Sequence, residues 1–178
     1  MPIEKNHRRL LLAVCTALFF MPFMMAGVNA VLPPLGESLH ASARQLGLVG
    51  AFYSLGLAVF QLTSGSLGDI CGRRRVWLWG MGVFALAGAM LGFVESTPFF
   101  LGLRFVQGVG GAMFNASGLA LLASAAPPGQ RAAYLGISGA AVYAGIACGP
   151  PVAGFIAGWL GWRWLFWGNA LAAAGAFL

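Results

Sequence analysis

Long apolar runs separated by short polar breaks are the main pattern of this sequence. They predict helices at about residues 10–32, 46–67, 76–94, 98–125, 131–160 and 164–178. A helix needs about 20 apolar residues to cross the hydrocarbon core of a membrane. The sixth run is shorter than that. We therefore predict an all-α integral membrane protein, a single transmembrane domain over residues 1–178, with five complete spans and the start of a sixth.

The polar breaks contain residues that end helices. Pro33-Pro34 end the first run and Pro127-Pro128-Gly129 end the fourth, because proline lacks the backbone donor that a helix interior needs. The connections are short, so we expect consecutive helices to be antiparallel neighbours. A cleaved signal peptide ending near Ala30 is an alternative for the first run, but that run is long and more runs follow. We prefer an uncleaved first transmembrane helix.

The composition agrees with a membrane protein. The chain is 60% hydrophobic and 8% charged, and it carries a net charge of +6. Soluble domains carry roughly 25% charged residues. The basic residues lie at the ends of the apolar runs and are not interleaved with exposed aromatic residues, so we expect a lipid bilayer and no nucleic acid as partner.

The distribution of basic residues predicts the orientation in the membrane, because Lys and Arg are enriched in cytoplasmic loops. The outer side has only Arg44 and Arg163. The N-terminus and the breaks after the second and fourth runs carry Lys5, Arg8, Arg9, Arg73, Arg74, Arg75 and Arg131. We expect a multi-pass protein of the plasma membrane (the inner membrane in a bacterium) with a cytoplasmic N-terminus.

The chemistry-bearing residues do not indicate an enzyme or a metal site. The cysteines are scattered, and both histidines lie outside the apolar runs, so no disulfide framework, metal site or cofactor is expected. The sequence GISG at residues 136–139 is similar to a G-x-S-G protease motif. A serine nucleophile needs a base such as histidine, and no predicted span contains one. We interpret Ser138 as a packing residue.

The densest charge cluster lies between the second and third runs, in the sequence GSLGDICGRRRV at residues 65–76. The arginines are explained by topology, but Asp69 and the glycines are not. Glycines let two helix ends approach closely. An acidic side chain there can interact with the positive N-terminal end of a neighbouring helix. We interpret the cluster as a latch between helix ends that forms in one conformation and breaks in another.

This stretch resembles the signature of the major facilitator superfamily, G-x-L-A-D-R/K-x-G-R/K-R/K. The matching residues are Gly65, Leu67, Asp69, Gly72, Arg73 and Arg74. Gly68 stands where alanine is usual, and Ile70 stands where a basic residue is usual. The resemblance implies the N-terminal six-helix bundle of the major facilitator fold. It also implies that this turn is a cytoplasmic gate formed by Asp69 and Arg73.

The fourth run carries a polar stripe. Arg104, Gln107, Gly111 and Asn115 share one helical face by their spacing. A buried arginine in a span costs at least about 2.5 kcal/mol on insertion scales, so we favour a cavity over snorkelling to the outer interface. Arg104, Gln107, Gly108 and Gly110 also resemble the family's R-x-x-Q-G segment, and in that family the arginine is implicated in proton coupling.

The fifth run contains glycines and prolines that suit close helix packing. Gly145, Gly149, Pro150 and Gly154 resemble the superfamily pattern G-x-x-x-G-P-x-x-G, and Pro151 is an additional proline. The resemblance implies the drug/proton antiporter branch and a contact between the two halves of a transporter. A generic tight helix contact is the alternative interpretation.

The first run departs from the exporters of this family, because Met24 and Ala26 occupy the positions where D-x-T-x-V-N-x-x-L-P has an acid and a threonine. No predicted span contains an acid, so the proton-carrying carboxylate lies in another part of the protein or is absent. Asn29 and Gln61 are candidates for lining a substrate cavity. Each is equally explained as a hydrogen bond between helices.

Together the motifs imply a secondary active transporter that exports small, drug-like molecules by alternating access, with the proton gradient as energy source and no cofactor. The resemblance covers about half of a typical member of the family. A C-terminal half of the same protein, or a second half-bundle, is therefore an expected partner beside the small-molecule substrate. The alternative is a truncated or half-size membrane protein without independent transport, which serves in assembly or is an inactive remnant.

Overall fold

The computed structural model describes residues 2–127 and 129–175, apart from the side chains of residues 2–7. This part of the chain is entirely helical between its turns. Seven helices follow one another: α1 Pro2–Ala30, α2 Leu32–Leu39, α3 Ala43–Cys71, α4 Arg73–Leu91, α5 Thr97–Ala125, α6 Arg131–Trp159 and α7 Arg163–Gly175. Each predicted apolar run corresponds to one of the six longer helices. Residues 176–178 of the last predicted run, and Pro128, lie outside the described residues.

The short helix α2 is the element that the sequence did not predict. It begins directly after Val31, with Pro33 and Pro34 in its first turn. A proline in the first turn loses no intrahelical hydrogen bond, and its restricted φ suits a helix start. The two prolines therefore begin a new helix where a loop was expected. α2 ends at His40, whose φ of 48° is in the left-handed region.

The ends of α3 show why it is longer than its apolar run. Ser42 and Gln45 form a reciprocal capping box at its start, so the helix begins at Ala43. Its other end is Gly72, the one residue between α3 and α4, which has a φ of 93°. A residue with a Cβ is strained at this φ, whereas glycine adopts it without cost. Gly72 therefore allows the chain to pass from α3 into α4 in a single step.

Four of the described helices are long and apolar enough to cross a membrane: Arg8–Ala30, Ala43–Cys71, Thr97–Ala125 and Arg131–Trp159. At a rise of about 1.5 Å per residue, 20 residues of helix already cover the roughly 30 Å hydrocarbon core. α4 has 19 residues and begins with three arginines, which lower its mean hydropathy. α7 has 13 described residues. The five complete spans expected from the sequence are therefore not all confirmed.

Helix α5 is the centre of the bundle and packs closely against α3. A Cβ on Gly56 of α3 would collide with the backbone carbonyl of Phe105, and a Cβ on Gly108 of α5 would collide with the carbonyl of Tyr53. Both glycines are therefore required for this contact. Backbones can approach to this distance only where neither helix has a side chain between them.

The opposite face of α5 packs in the same way against α4. A Cβ on Gly80 would lie 2.6 Å from the backbone nitrogen of Phe114, and one on Gly110 would lie 2.6 Å from that of Phe84. The rings of Phe84 and Phe114 meet edge to face beside this contact, with centroids 5.3 Å apart. Gly108 and Gly110 thus place α5 between two partner helices.

The other large contact joins α1 to α6, which lie far apart in the chain. By contrast, α3 touches α4 much less than either touches α5, and α5 touches α6 only slightly. Consecutive helices were expected to be neighbours. α4 and α5 pack closely, but the largest contact of α3 is with α5 and the largest contact of α1 is with α6. The physical reason is that the glycine faces, and not the short connections, decide which helices pack closely.

Candidate functional site

The charged cluster predicted at the turn between α3 and α4 is formed by an ion pair. Arg73, the first residue of α4, donates from Nε (3.2 Å) and Nη2 (3.0 Å) to Oδ1 of Asp69 in the last turn of α3. Its Nη1 donates to the backbone carbonyl of Ala120 on α5, at 3.4 Å. We call Asp69, Arg73 and the Ala120 carbonyl the gate cluster. It joins the adjoining ends of α3 and α4 to the C-terminal part of α5.

The gate cluster is open to solvent. The side chain of Asp69 is 66% exposed and that of Arg73 is 41% exposed. Exposed ion pairs contribute at most about 1 kcal/mol to stability, because water competes for both charges. The cluster can therefore break without unfolding the bundle, which is what a conformational latch requires.

The glycines around the gate cluster differ in what they do. A Cβ on Gly68 would lie 3.3 Å from Ser117 Oγ and 3.6 Å from Arg73 Cγ, so this glycine keeps α3 close to α5 and to Arg73. Gly72 permits the turn. Gly65 faces open space, with nothing within 4 Å of the position of its Cβ. The structure thus gives Gly68 a packing reason and shows none for Gly65.

Arg74 is exposed beside the gate cluster, next to Arg75. Both line an open cleft of about 870 Å³ together with Gly68, Leu78 and Leu121. Neither arginine makes an ion pair or a side-chain hydrogen bond within the part of the chain that the structure describes. Of the three adjacent arginines, Arg73 alone forms the ion pair with Asp69.

Arg104 lies inside the bundle. Its side chain is 0% exposed, so snorkelling to the interface does not occur in this structure. Nη1 donates to Gln107 Oε1 at 2.6 Å, and Nε donates to the backbone carbonyl of Val49 on α3 at 3.4 Å. The guanidinium lies over the ring of Tyr53, with Cζ 4.6 Å from the ring centroid. Arg104 is therefore held by two hydrogen bonds and one aromatic face.

Several polar atoms around Arg104 have no partner among the described residues. They are Arg104 Nη2, Gln107 Nε2 and Tyr53 Oη. A buried donor without a partner is costly, and more so where the surroundings are apolar. Such an arrangement is typical of functional polar groups inside a membrane protein.

Asn115 belongs to a different place from Arg104, although both lie on the predicted stripe. It is half-buried and lines a cleft of about 360 Å³ between α1, α5 and α6, with Leu18, Ser138 and Tyr143 among the lining residues. Ser138 Oγ donates to the carbonyl of Leu135 at 2.7 Å, one turn earlier in α6. The polar stripe of α5 is thus divided between a buried cluster and an open cleft.

The motif on α6 forms the contact with α1. A Cβ on Gly145 would collide with the carbonyl of Phe19, and one on Gly149 would lie 2.7 Å from the carbonyl of Phe23. α6 continues through Pro150 and Pro151, which are exposed. The two glycines therefore pack within the bundle, as a tight helix contact, while the prolines lie on its surface.

Gly154 does not take part in this contact, because nothing lies within 4 Å of its Cβ position. Ala153 does, and its Cβ is 3.0 Å from the Cβ position of Gly27. The reason is helical geometry: residue 153 follows Gly149 by one turn, whereas residue 154 is rotated about 140° away from Gly149. The alignment of Gly154 with the last glycine of the pattern was wrong by one residue. The two variable positions after the proline are residues 151 and 152, so the last position of the pattern falls on Ala153.

The two candidates for a substrate cavity are separate. Asn29 is exposed at the end of α1. Gln61 is half-buried in α3, and its Oε1 is buried without a hydrogen-bond partner in the described part of the chain. α1 and α3 have little contact with each other, so the structure does not bring these two side chains together. Within residues 8–127 and 129–175, no three His, Cys, Asp or Glu side chains form a group that could hold a metal ion.

Tyr53 was not among the candidate residues predicted from the sequence, and its contact with Arg104 was not expected. The available signal was the glycine spacing of α5, since Gly108 and Gly111 follow Arg104 on the same face. That face leaves room for a large residue from a neighbouring helix.

A buried arginine cluster, a gate cluster that joins three helices and an all-helical bundle with four candidate spans describe a membrane transporter. The sequence profile of the Major Facilitator Superfamily matches residues 12–178, and the chain belongs to that family. Its members are multi-pass membrane transporters and not enzymes.

The chain is similar to two curated resistance proteins. It is 35% identical to the multidrug resistance protein Stp of Mycobacterium tuberculosis, over 92% of this chain and 31% of that protein. It is 33% identical to the tetracenomycin C resistance and export protein of Streptomyces glaucescens, over 89% of this chain and 30% of that protein. The chain thus spans about a third of the length of these relatives.

A solved structure shares the fold. The chain superposes on the proton:xylose symporter XylE, bound to 6-bromo-6-deoxy-D-glucose, with a TM-score of 0.85 and 17% identity. The match covers 97% of this chain and 44% of that one. At this identity the likeness establishes the fold.

Proposed function

We propose that this chain is part of a longer secondary active transporter that exports small, drug-like molecules across the plasma membrane. The proposal rests on the gate cluster: in a chain of this family, an exposed ion pair ties α3, α4 and α5 together at one end of the bundle. Such a contact can break and reform as two bundles rock about a site between them. Asp69 and Arg73 are the gate residues of this proposal.

Two further observations support export as the direction of transport and the proton gradient as its energy source. Both named relatives are resistance proteins, and one carries export in its name. Arg104 is a buried charge in the middle of the bundle, with a free donor beside Gln107, and such groups are typical of proton-coupled transport. We propose proton-coupled export, with the acid that carries the proton in the part of the relatives that this chain does not cover.

The proposal includes a topology. α4 is the third of five complete spans and α7 is the start of a sixth, so that the N-terminus and the gate cluster lie on the cytoplasmic side. The charge distribution supports this orientation, since most Lys and Arg residues are at that end. The cleft beside Asn115 opens between α1, α5 and α6, and we assign it to the substrate pathway.

The proposal is tested by Asp69→Asn in the complete gene. We expect export to be lost while the amount of protein in the membrane stays unchanged, because the exposed ion pair adds little stability and its charge is needed for the latch. Export is measured as efflux of a fluorescent drug-like dye from energised cells, and abundance by quantitative immunoblotting of membranes.

The matched control is Glu95→Gln, which removes an acidic charge from the opposite side of the membrane, in the connection between α4 and α5. This variant is expected to export normally. Unchanged efflux in Asp69→Asn would refute the role of the gate cluster. Loss of efflux in both variants would show that the effect is one of net charge.

A second candidate is a half-size protein that acts in assembly without transport of its own. The observation that favours it is the exposure of α3 and α6, of which only 17% of the most apolar stretch is buried. The coding DNA beyond Leu178 distinguishes the two. An open frame with six or more further apolar runs supports the exporter, whereas a stop codon followed by no partner gene supports the assembly protein.

A further inference from the structure

Arg104 is seated on α3 by two groups that lie one turn apart. The carbonyl of Val49 accepts from Arg104 Nε at 3.4 Å, and the ring of Tyr53 lies 4.6 Å beneath Cζ. All of this is buried, since Arg104, Val49 and Tyr53 are each 0% exposed. One face of α3 thus provides both the acceptor and the aromatic surface for a charge that belongs to α5.

Two glycines of α5 leave space for the same tyrosine. Gly108 leaves room for the Tyr53 backbone, whose carbonyl would collide with a Cβ there. Gly111 leaves room for the phenol, since its Cβ would lie 3.1 Å from Tyr53 Oη. Residues 104, 108 and 111 follow one another on one face of the helix. Arg104 covers the ring of Tyr53, while the two glycines accommodate its backbone and its hydroxyl end.

A buried guanidinium needs compensation for the water that it has lost. Gln107 and Val49 accept two of its five N–H groups, and no carboxylate lies within hydrogen-bonding distance among the described residues. The negative face of an aromatic ring attracts a guanidinium most strongly where water is absent. The ring of Tyr53 therefore attracts the charge of Arg104 at a place where no described acid is within reach.

We propose that Tyr53 is the positioning residue of Arg104, and that the segment from Arg104 to Gly111 is a socket for Tyr53. The ring holds the guanidinium inside the bundle, and the hydroxyl is not required for this. The consequence for transport rests on the proposed coupling role of Arg104. The positioning itself is a property of the bundle and is measured without transport.

The first test is chemical protection of Arg104. Purified protein is treated with phenylglyoxal, and modification of the peptide that contains Arg104 is quantified by mass spectrometry relative to the exposed Arg44. In Tyr53→Leu we expect Arg104 to be modified roughly thirtyfold faster. This is the increase in the population of accessible Arg104 that loss of a desolvated cation–π contact would produce. In Tyr53→Phe the ring remains, and we expect Arg104 to be as well protected from modification as in the original protein.

A second pair of variants keeps the test valid if Tyr53→Leu does not fold. Gly111→Val places a branched side chain against Tyr53 Oη and is expected to displace the ring, so that Arg104 loses protection. Gly102→Val is the matched control on the same helix, since nothing lies within 4 Å of its Cβ position. Arg104 should stay protected in it.

Two results would overturn the proposal. Arg104 could remain as protected in Tyr53→Leu or Gly111→Val as in the original protein, in which case the ring does not hold it. Alternatively, Tyr53→Phe could lose protection to the same extent as Tyr53→Leu, in which case the hydroxyl and not the ring positions the arginine.

The transport readout is the pH profile of dye export by the complete protein at equal membrane abundance. We expect the profile to shift in Tyr53→Leu and to stay unchanged in Tyr53→Phe, which a merely structural role would not produce. An unshifted profile in Tyr53→Leu, with Arg104 unprotected, would overturn the link to coupling. If the original protein exports nothing, the proposed function fails, while the protection pattern still decides the role of Tyr53.

Discussion

The contact between α1 and α6 makes a sharp prediction for Gly149→Leu. A Cβ at this position would lie 2.7 Å from the carbonyl oxygen of Phe23, 3.1 Å from Ala26 Cβ and 3.1 Å from the backbone nitrogen of Gly27. Two of these three atoms belong to the α1 backbone, which cannot rotate away as a flexible side chain can. Leucine adds three further carbon atoms beyond the Cβ, so the two helices have to separate.

The magnitude follows from the cost of overfilling a packed contact, which is about 1–3 kcal/mol. For a protein of this size, 1 kcal/mol corresponds to a change of about 2–4 °C in Tm, so we expect Gly149→Leu to melt about 2–12 °C lower. Leucine is a better helix former than glycine by up to about 1 kcal/mol. That gain opposes the loss and has to be removed by a control.

The control is Gly154→Leu, the same substitution five residues later in α6, where nothing lies within 4 Å of the Cβ position. Both variants share the gain in helix propensity, so the difference between them isolates the collision with α1. The assay is thermal unfolding of the detergent-purified protein, followed by tryptophan fluorescence. Equal Tm values for the two variants would refute the packing argument, and so would a Gly149→Leu protein with normal stability and normal export.

The remaining predictions concern the ends of helices. Ser42→Ala removes the capping box with Gln45 and is expected to destabilise the protein by about 1 kcal/mol, whereas Ser42→Asp, which can still cap, should be nearly neutral. Arg163→Ala removes an exposed hydrogen bond of 3.3 Å to Ser38 and should lower the free energy of unfolding by less than about 1 kcal/mol. A larger loss of stability in the same melting assay would show that this contact is not a weak surface contact.

The parts of the fold that could be predicted from sequence are those set by hydrophobicity and by strong local signals. The apolar runs indicated the six longer helices, and the pattern around Asp69 indicated a charged contact at helix ends. Arg104 was expected to face the interior because a charge in a span is expensive in lipid. These inferences depend only on the apolar surroundings of the membrane and on residues that are close together in the sequence.

Helix partners could not be predicted in this way. Which helix Gly108 or Gly145 packs against depends on the face that another helix presents, and no local signal carries that information. For the same reason Tyr53 was missed, since its role exists only when α3 lies against α5. The error at Gly154 is of a different kind, because the pattern was aligned one residue too far along the chain.

The pairing of α1 with α6 has a consequence for biosynthesis. α1 ends at Ala30 and α6 begins at Arg131. The ribosome adds about 100 residues between the two, which takes roughly 5–20 s at about 5–20 residues per second. During this time the face of α1 that will receive Gly145 and Gly149 has no partner. Among the four candidate spans α1 has the highest mean hydropathy, so it is the helix best suited to stand alone in lipid until α6 is made.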